Sequence, residues 1–138
     1  MKTIIIENES ASLLQLESLI SQHLAEAEVL GTAGSIMEGV ALIKNQQPQL
    51  VFLDVELDDG LSFELLKHFP NPEFLVIFCT AFEHYAMKAI RMSALDFLLK
   101  PVGVNEFVEV VEKLRTQLAI KHKYETQAQL LQNLQLPT

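Results

Sequence analysis

Residues 50–54, Leu50-Val51-Phe52-Leu53-Asp54, place four apolar side chains directly before a carboxylate. Three other short apolar runs also end in polar side chains: Thr3-Ile4-Ile5-Ile6 before Glu7-Asn8-Glu9, Phe74-Leu75-Val76-Ile77-Phe78-Cys79 before Thr80, and Phe97-Leu98-Leu99 before Lys100. Short runs rich in branched and aromatic residues are typical of strands in a parallel sheet that is covered on both faces. The sequence therefore predicts four buried strands whose ends carry acids, a hydroxyl and an ammonium.

Helix-like segments alternate with these runs. A further short strand is predicted at Val29-Leu30, a fourth helix from Glu83 to Met92, and a last helix with an apolar stripe from Val104 to Leu118. Five strand–helix pairs with short connections imply right-handed crossovers. They predict an α/β fold, a flavodoxin-like (βα)5 doubly wound parallel sheet with strand order 2-1-3-4-5. In such sheets ligands bind beyond the carboxyl ends of the strands.

Length and composition exclude several classes of protein. With 138 residues and 49% hydrophobic residues, the chain suits one globular domain. Its net charge of −8 argues against binding nucleic acid or an anionic membrane through its own surface. The longest apolar run has six residues, too few for a membrane span. The single cysteine, Cys79, cannot form an internal disulfide, and we expect a cytoplasmic protein.

Asp54 is the strongest candidate for a reactive group. A carboxylate can attack phosphorus and form an acyl phosphate if something neutralises the incoming oxygens. Lys100 would pair with the phosphoryl group or with Asp54, and Thr80 would hydrogen-bond to a phosphoryl oxygen. Taken singly, these residues are equally explained as a turn acid, a solvated charge and a strand-end hydroxyl. Their coincidence at one sheet edge favours a functional site.

A hard divalent cation would complete such a site. Mg²⁺ binds carboxylate, carbonyl and water oxygens in octahedral array. We therefore predict Asp54, Glu7 and Asn8 as side-chain ligands, with the backbone carbonyl of Glu56 as a further ligand.

At these residues the chain resembles the receiver domain of bacterial two-component response regulators. The resemblance implies that Asp54 is the phosphoacceptor, Thr80 the switch hydroxyl, Lys100 the paired lysine and Phe97 the aromatic switch, with a cis bond before Pro101. The matching segments are Ile4-Ile5-Ile6-Glu7-Asn8-Glu9, Leu50-Val51-Phe52-Leu53-Asp54-Val55-Glu56-Leu57, Val76-Ile77-Phe78-Cys79-Thr80-Ala81 and Ala94-Leu95-Asp96-Phe97-Leu98-Leu99-Lys100-Pro101.

The segments 82–86 and 94–102 are similar to the subgroup whose members carry a C-terminal LytTR-type DNA-binding domain. The resemblance implies a sensor histidine kinase as phosphoryl donor and a homodimer formed through the fourth helix, fifth strand and last helix. It also implies that DNA is contacted only through a domain missing from this chain. The expected function is thus control of a transcriptional output domain by phosphorylation of Asp54.

The acidic pair at the end of the first strand departs from the family pattern. Receivers usually carry two adjacent acids, whereas this chain has Glu7 and Asn8. Asn8 falls where the family places a direct metal ligand, so the predicted Mg²⁺ site lacks one negative charge. Glu9 is a candidate to compensate for it.

Two alternatives follow from the same residues. A haloacid-dehalogenase-like phosphohydrolase also uses a strand-end Asp, then Thr or Ser, then Lys around Mg²⁺. It requires an inward acid two residues after the nucleophile, which Glu56 half satisfies, and an acidic pair after Lys100, which the sequence lacks. A pseudo-receiver that docks proteins with weak or no phosphorylation is supported by Asn8. We expect a signalling module with no diffusible substrate.

The chain changes character near residue 120. Residues 1–120 are predicted to form the receiver domain. Residues 121–138 are polar and rich in Gln, and are predicted as a helical extension or, with slight preference, a linker to a further domain.

Overall fold

The computed structural model describes residues 1–134. Five parallel strands form one sheet: β1 Lys2–Ile6, β2 Glu28–Ala33, β3 Leu50–Asp54, β4 Leu75–Thr80 and β5 Asp96–Leu99. Their order across the sheet is β2-β1-β3-β4-β5, and every neighbouring pair is parallel. The predicted doubly wound order is confirmed. The second strand is longer than the predicted Val29-Leu30.

Four helices connect successive strands and a fifth follows β5: α1 Ser10–His23, α2 Ile36–Gln46, α3 Phe63–Leu66, α4 Ala86–Arg91 and α5 Val104–Leu134. The predicted fourth helix is divided into a 3₁₀ turn, Glu83–Tyr85, followed by the short α4. A minor antiparallel pair, Glu56–Leu57 with Gly60–Leu61, follows β3. Gly60 has a φ of 138°, a backbone conformation that side-chain-bearing residues rarely adopt.

Successive side chains along each strand point to opposite faces of the sheet, so a hydrophobic core forms on each face. Ile4 and Ile6 point to the layer formed with α2, α3 and α4, whereas Ile5 points to the layer formed with α1 and α5. In the second layer, Phe107 of α5 is fully buried and stacks on Phe52 of β3, with ring centroids 6.1 Å apart. Although both faces are covered, the carboxyl edge of the sheet holds three of the five buried polar residues in the described part of the chain, Glu7, Asp54 and Thr80.

The last helix extends well past the core. Residues up to Leu118 contact the sheet, and residues 119–134 continue the same helix with exposed side chains. The division at residue 120 and the link to a further domain stay predictions, and residues 135–138 lie outside the described part. None of the helices within residues 1–134 is both long and apolar enough to cross a membrane.

Candidate functional site

Four strand ends position the predicted site residues. Glu7 follows β1, Asp54 ends β3, Thr80 ends β4 and Lys100 follows β5. The strand register determines how these residues align along the edge of the sheet. Asp54 lies opposite Cys79, the residue before Thr80, and the Lys100 amide donates to the Thr80 carbonyl at 2.7 Å. Parallel pairing thus brings residues that are up to 93 positions apart in sequence to one edge of the sheet.

An ion-pair network forms at this edge. The Lys100 ammonium lies 3.2 Å from Asp54 Oδ2, pairs with Glu7 Oε1, and lies 3.7 Å from Glu9 Oε1. Asp54 and Glu7 are 4% and 6% exposed. Carboxylates buried to this degree require a partner charge or hydrogen bonds. One ammonium faces three carboxyl groups, so it cannot balance all of them when they are ionised.

The electrostatic consequence is a raised pKa at Asp54. Burial is the main cause, the neighbouring Glu7 carboxyl adds to it, and Lys100 opposes it, which leaves the pKa of Asp54 at about 7. Burial alone would lower the pKa of Lys100, but the Glu7 and Asp54 carboxylates outweigh this effect and raise it. The site therefore disfavours a further negative charge unless a cation accompanies it.

Three acids are close enough to share a metal ion. Oxygens of Glu7, Glu9 and Asp54 all lie within 4.8 Å of one another. A set of carboxylate oxygens suits a hard cation such as Mg²⁺. Glu9 is exposed and lies directly before α1, and its carboxylate extends toward Glu7 and Asp54. Its backbone amide also donates to Glu7 Oε2 at 3.2 Å.

Asn8 takes part in a different contact. Its Nδ2 donates to Asp58 Oδ1 at 3.0 Å, which links the end of β1 to the loop after β3. The neighbouring Asp59 accepts from the amides of Ile36 and Met37 at 2.7 and 3.2 Å and so caps the start of α2. Those hydrogen bonds, chiefly the one from Ile36, lower the pKa of Asp59. The structure thus places Glu9 beside Glu7 and Asp54, and the role of Asn8 as a metal ligand stays a prediction.

The two predicted switch residues have distinct environments. Thr80 is buried, and its Oγ1 accepts from the Phe82 amide at 3.2 Å. Phe97 is half-buried and packs against the core layer beneath α4. The bond between Lys100 and Pro101 is cis. The roles predicted for Thr80, Phe97 and the Glu56 carbonyl stay predictions.

Sequence reasoning missed a contact between the loops that flank the site. The Tyr85 hydroxyl donates to Glu56 Oε1 at 3.0 Å, while the Tyr85 ring lies 6.0 Å from the Phe63 ring. The 3₁₀ turn before α4 places Tyr85 near Glu56, and no local feature of the sequence predicts this contact. The exposed Glu56 carboxylate is therefore held by Tyr85, whereas the phosphohydrolase alternative needs it to point inward.

Comparison with known proteins identifies the class. The family model described as the response regulator receiver domain matches residues 3–112, so the chain belongs to that family. A sensory transduction protein LytT of Enterococcus faecalis is 33% identical over 121 residues, covering 86% of this chain and 49% of that protein. A LytT of Bacillus cereus is 29% identical, covering 89% and 52%.

A solved structure shows the same fold. The receiver domain of AraT, a response regulator from Geobacillus stearothermophilus, superimposes with a TM-score of 0.78 at 24% identity, covering 88% of this chain and 97% of that one. The chain spans about half the length of the curated relatives it matches. These findings confirm the family predicted from the four strand ends.

Replacing Asp54 by Asn should stabilise the metal-free protein increasingly as pH rises. The folded pKa of Asp54 is raised from 3.8 to about 7, so its contribution to stability is full below about pH 4 and is lost as pH rises through about 7. We expect the variant to exceed the wild type by roughly 1–3 kcal/mol at pH 8, and by little at pH 4, in urea unfolding with EDTA. Asp58→Asn, which removes a nearby exposed charge, should lack this trend. A difference for Asp54→Asn that is constant with pH would contradict the raised pKa.

Replacing Asn8 by Asp should strengthen Mg²⁺ binding by about tenfold or more, because it adds a carboxylate beside the acidic set. It should also destabilise the metal-free protein, since the new charge would face Asp58 where the amide now donates. Calorimetric titration measures the first effect and thermal unfolding the second. Asn71→Asp, an equal charge change in an exposed loop, is the control. Equal or weaker Mg²⁺ affinity would show that Glu9 already completes the site.

Proposed function

We propose that this chain is the phosphoacceptor module of a two-component signalling pathway and that Asp54 carries the phosphoryl group. The observation that supports the proposal most is the buried Asp54 carboxylate paired with Lys100 at the carboxyl edge of the sheet. Membership of the receiver family supports it independently. The phosphoryl donor would be a phosphohistidine of a sensor kinase.

The chemistry needs three actions from this chain. Asp54 Oδ attacks phosphorus, the bond from phosphorus to the donor nitrogen breaks, and an acyl phosphate forms on Asp54. Lys100, already in contact with Asp54, follows the negative charge onto the phosphoryl oxygens. Thr80 exchanges its hydrogen bond from the Phe82 amide for donation to a phosphoryl oxygen. The module thus modifies itself and turns over no diffusible substrate.

Mg²⁺ is the proposed cofactor, held by Glu7, Asp54 and Glu9, with the Glu56 carbonyl and Asn8 as the further predicted ligands. When bound, it supplies the positive charge that keeps Asp54 ionised and neutralises the incoming oxygens. The excess of carboxylates over ammonium groups at this edge supports a divalent cation.

Output would pass through the face formed by α4, β5 and the start of α5. Movement of Thr80 would leave space for Phe97 to turn inward and would reshape this face. The greater length of the relatives supports an attached output domain. The proposal that this domain regulates transcription and contacts DNA rests on the resemblance of the chain to the LytTR-type subgroup. A cytoplasmic location follows as part of the same proposal.

A pseudo-receiver that docks proteins without turning over phosphate is the second candidate. Asn8 favours this candidate, because the position beside Glu7 carries an amide in place of a carboxylate, and this amide donates a hydrogen bond to Asp58. Phosphorylation chemistry separates the two candidates directly.

Incubation with acetyl phosphate and Mg²⁺ should add one phosphoryl group to the intact mass, and EDTA should prevent it. Asp54→Ala should abolish the gain. Asp58→Ala, an exposed acid four residues later, should retain it. A wild-type protein that gains no mass under conditions where a working receiver does so would favour the docking candidate.

Beryllofluoride with Mg²⁺, a mimic of the phosphoryl group, should promote dimers through the face formed by α4, β5 and α5. A C₂ pair places each residue of this face on both partners, so one inserted charge acts twice. In sedimentation, Ile90→Lys on α4 should abolish the increase in dimerisation that beryllofluoride causes, whereas Leu14→Lys on α1, equally exposed (66% and 68%), should not. Monomers in every sample at high micromolar concentration would exclude this interface in the isolated chain.

A further inference from the structure

The second half of α5 lacks the support that holds the first half. From Ile120 to Leu134 it extends about 22 Å at 1.5 Å per residue. Its side chains are exposed, including Tyr124 at 69% and Leu131 at 57%. Isolated helices of this length are marginal in water. A helix that carries large apolar side chains into solvent is typical of an element that packs against a partner.

Four of the five large apolar side chains between Ile120 and Leu134 follow a coiled-coil spacing, and the fifth, Leu130, lies beside that stripe. The residues on one stripe are separated by 4, 3, 4 and 3 positions, and we name them the seam: Ile120, Tyr124, Gln127, Leu131 and Leu134. Alternating steps of three and four place side chains along the narrow stripe that faces another helix. The partner that fits this stripe is therefore a helix with the same spacing.

The seam continues a line along α5 that borders the sheet. Steps of three and then four positions backward from Ile120 lead through Gln117 to Lys113, whose Nζ lies 3.6 Å from Asp96 Oδ2 on β5. A groove of about 560 Å³ beside β5 is lined from α5 by Glu106, one heptad before Lys113. Lys113 therefore borders the face formed by α4, β5 and α5, and the seam begins seven residues beyond it on the same line, although the next position back on this line, Val110, is buried in the core.

We propose that the seam pairs with the seam of a second copy of this chain, as a parallel, in-register coiled coil. In register, Gln127 meets its own copy and can exchange hydrogen bonds with it, and the other four seam positions meet apolar copies of themselves. The flanking Lys123 faces the partner's Ala128 across a parallel seam, so no like charges meet there.

The limited length of the seam favours the parallel arrangement. It covers about two heptads, fewer than the three or four that sustain a coiled coil alone. Parallel pairing also brings together the faces of the two domains, where Met87, Ile90 and Leu99 are 62%, 66% and 44% exposed. Antiparallel pairing would place the two domains at opposite ends and leave these residues uncovered. Pairing of the seam does not depend on phosphorylation of Asp54.

Disulfide cross-linking tests both the seam and its direction. Leu134→Cys should cross-link to its copy at least fivefold faster than Gln129→Cys, which lies on the opposite side of the helix. The native Cys79 is buried and contributes no cross-link. A parallel pair brings the two copies of residue 134 together, whereas an antiparallel pair brings residue 134 close to residue 120. Equal rates, or no cross-link at either position, would overturn the proposal.

A charge in the seam should weaken the pair in solution. In sedimentation without beryllofluoride, Leu131→Lys should raise the dimer Kd at least tenfold, and Gln129→Lys should leave it within twofold. Equal effects of the two substitutions would overturn the proposal. Both residues are exposed, and circular dichroism should show both variants folded. The cross-linking ratio should persist in an Asp54→Asn background, so its outcome is independent of whether Asp54 accepts phosphate.

Discussion

The contact of the Lys100 ammonium with the carboxyl groups of Glu7 and Asp54 is the constraint on which the site depends. It joins three strand ends that are far apart in the sequence, at an edge where both acids are almost fully buried. Burying such charges is costly unless they are paired. The pairing is incomplete, because a third acid, Glu9, lies within reach of the same ammonium.

This incomplete pairing connects the fold with the proposed chemistry. The hydrophobic layers cover both faces of the sheet, and the strand register brings the two buried acids, Glu7 and Asp54, together at its carboxyl edge. In the proposed chemistry, the excess negative charge at this edge would attract a divalent cation, and the cation would permit a phosphoryl group to approach. The raised pKa of Asp54 reflects the same imbalance before either arrives.

The sequence was sufficient to predict the sheet and the strand-end residues. Apolar runs and the polar residues that follow them can be identified locally in the sequence. In a parallel sheet, the carboxyl ends of the strands lie at one edge, so these polar residues are expected to meet there. Glu9, Asp58 and Tyr85 could not be assigned contacts in this way, because side-chain directions in the loops depend on backbone angles that the pattern does not encode. The Asn8 amide illustrates this, since the sequence pattern does not predict its hydrogen bond to Asp58.

The long last helix shows a second limit of sequence reasoning. A Gln-rich polar stretch slightly favoured a linker after residue 120, yet the described helix continues to Leu134. Gln, Leu, Lys and Glu are good helix formers, and their propensity continues a helix that the core has already nucleated. The apolar stripe that ends at Leu118 predicts the buried half of this helix. Only the structure shows that residues Ile120 to Leu134 continue the same helix, so that their spacing forms a stripe.

Locating the phosphoryl group is the most direct test of this account. After reaction with acetyl phosphate and Mg²⁺, borohydride reduction converts an acyl phosphate into a stable alcohol that tandem mass spectrometry assigns to one residue. The account predicts that the label lies on Asp54 alone. A label on Glu7, Glu9 or Asp58 in its place would contradict the assignment of Asp54 as the nucleophile held by Lys100.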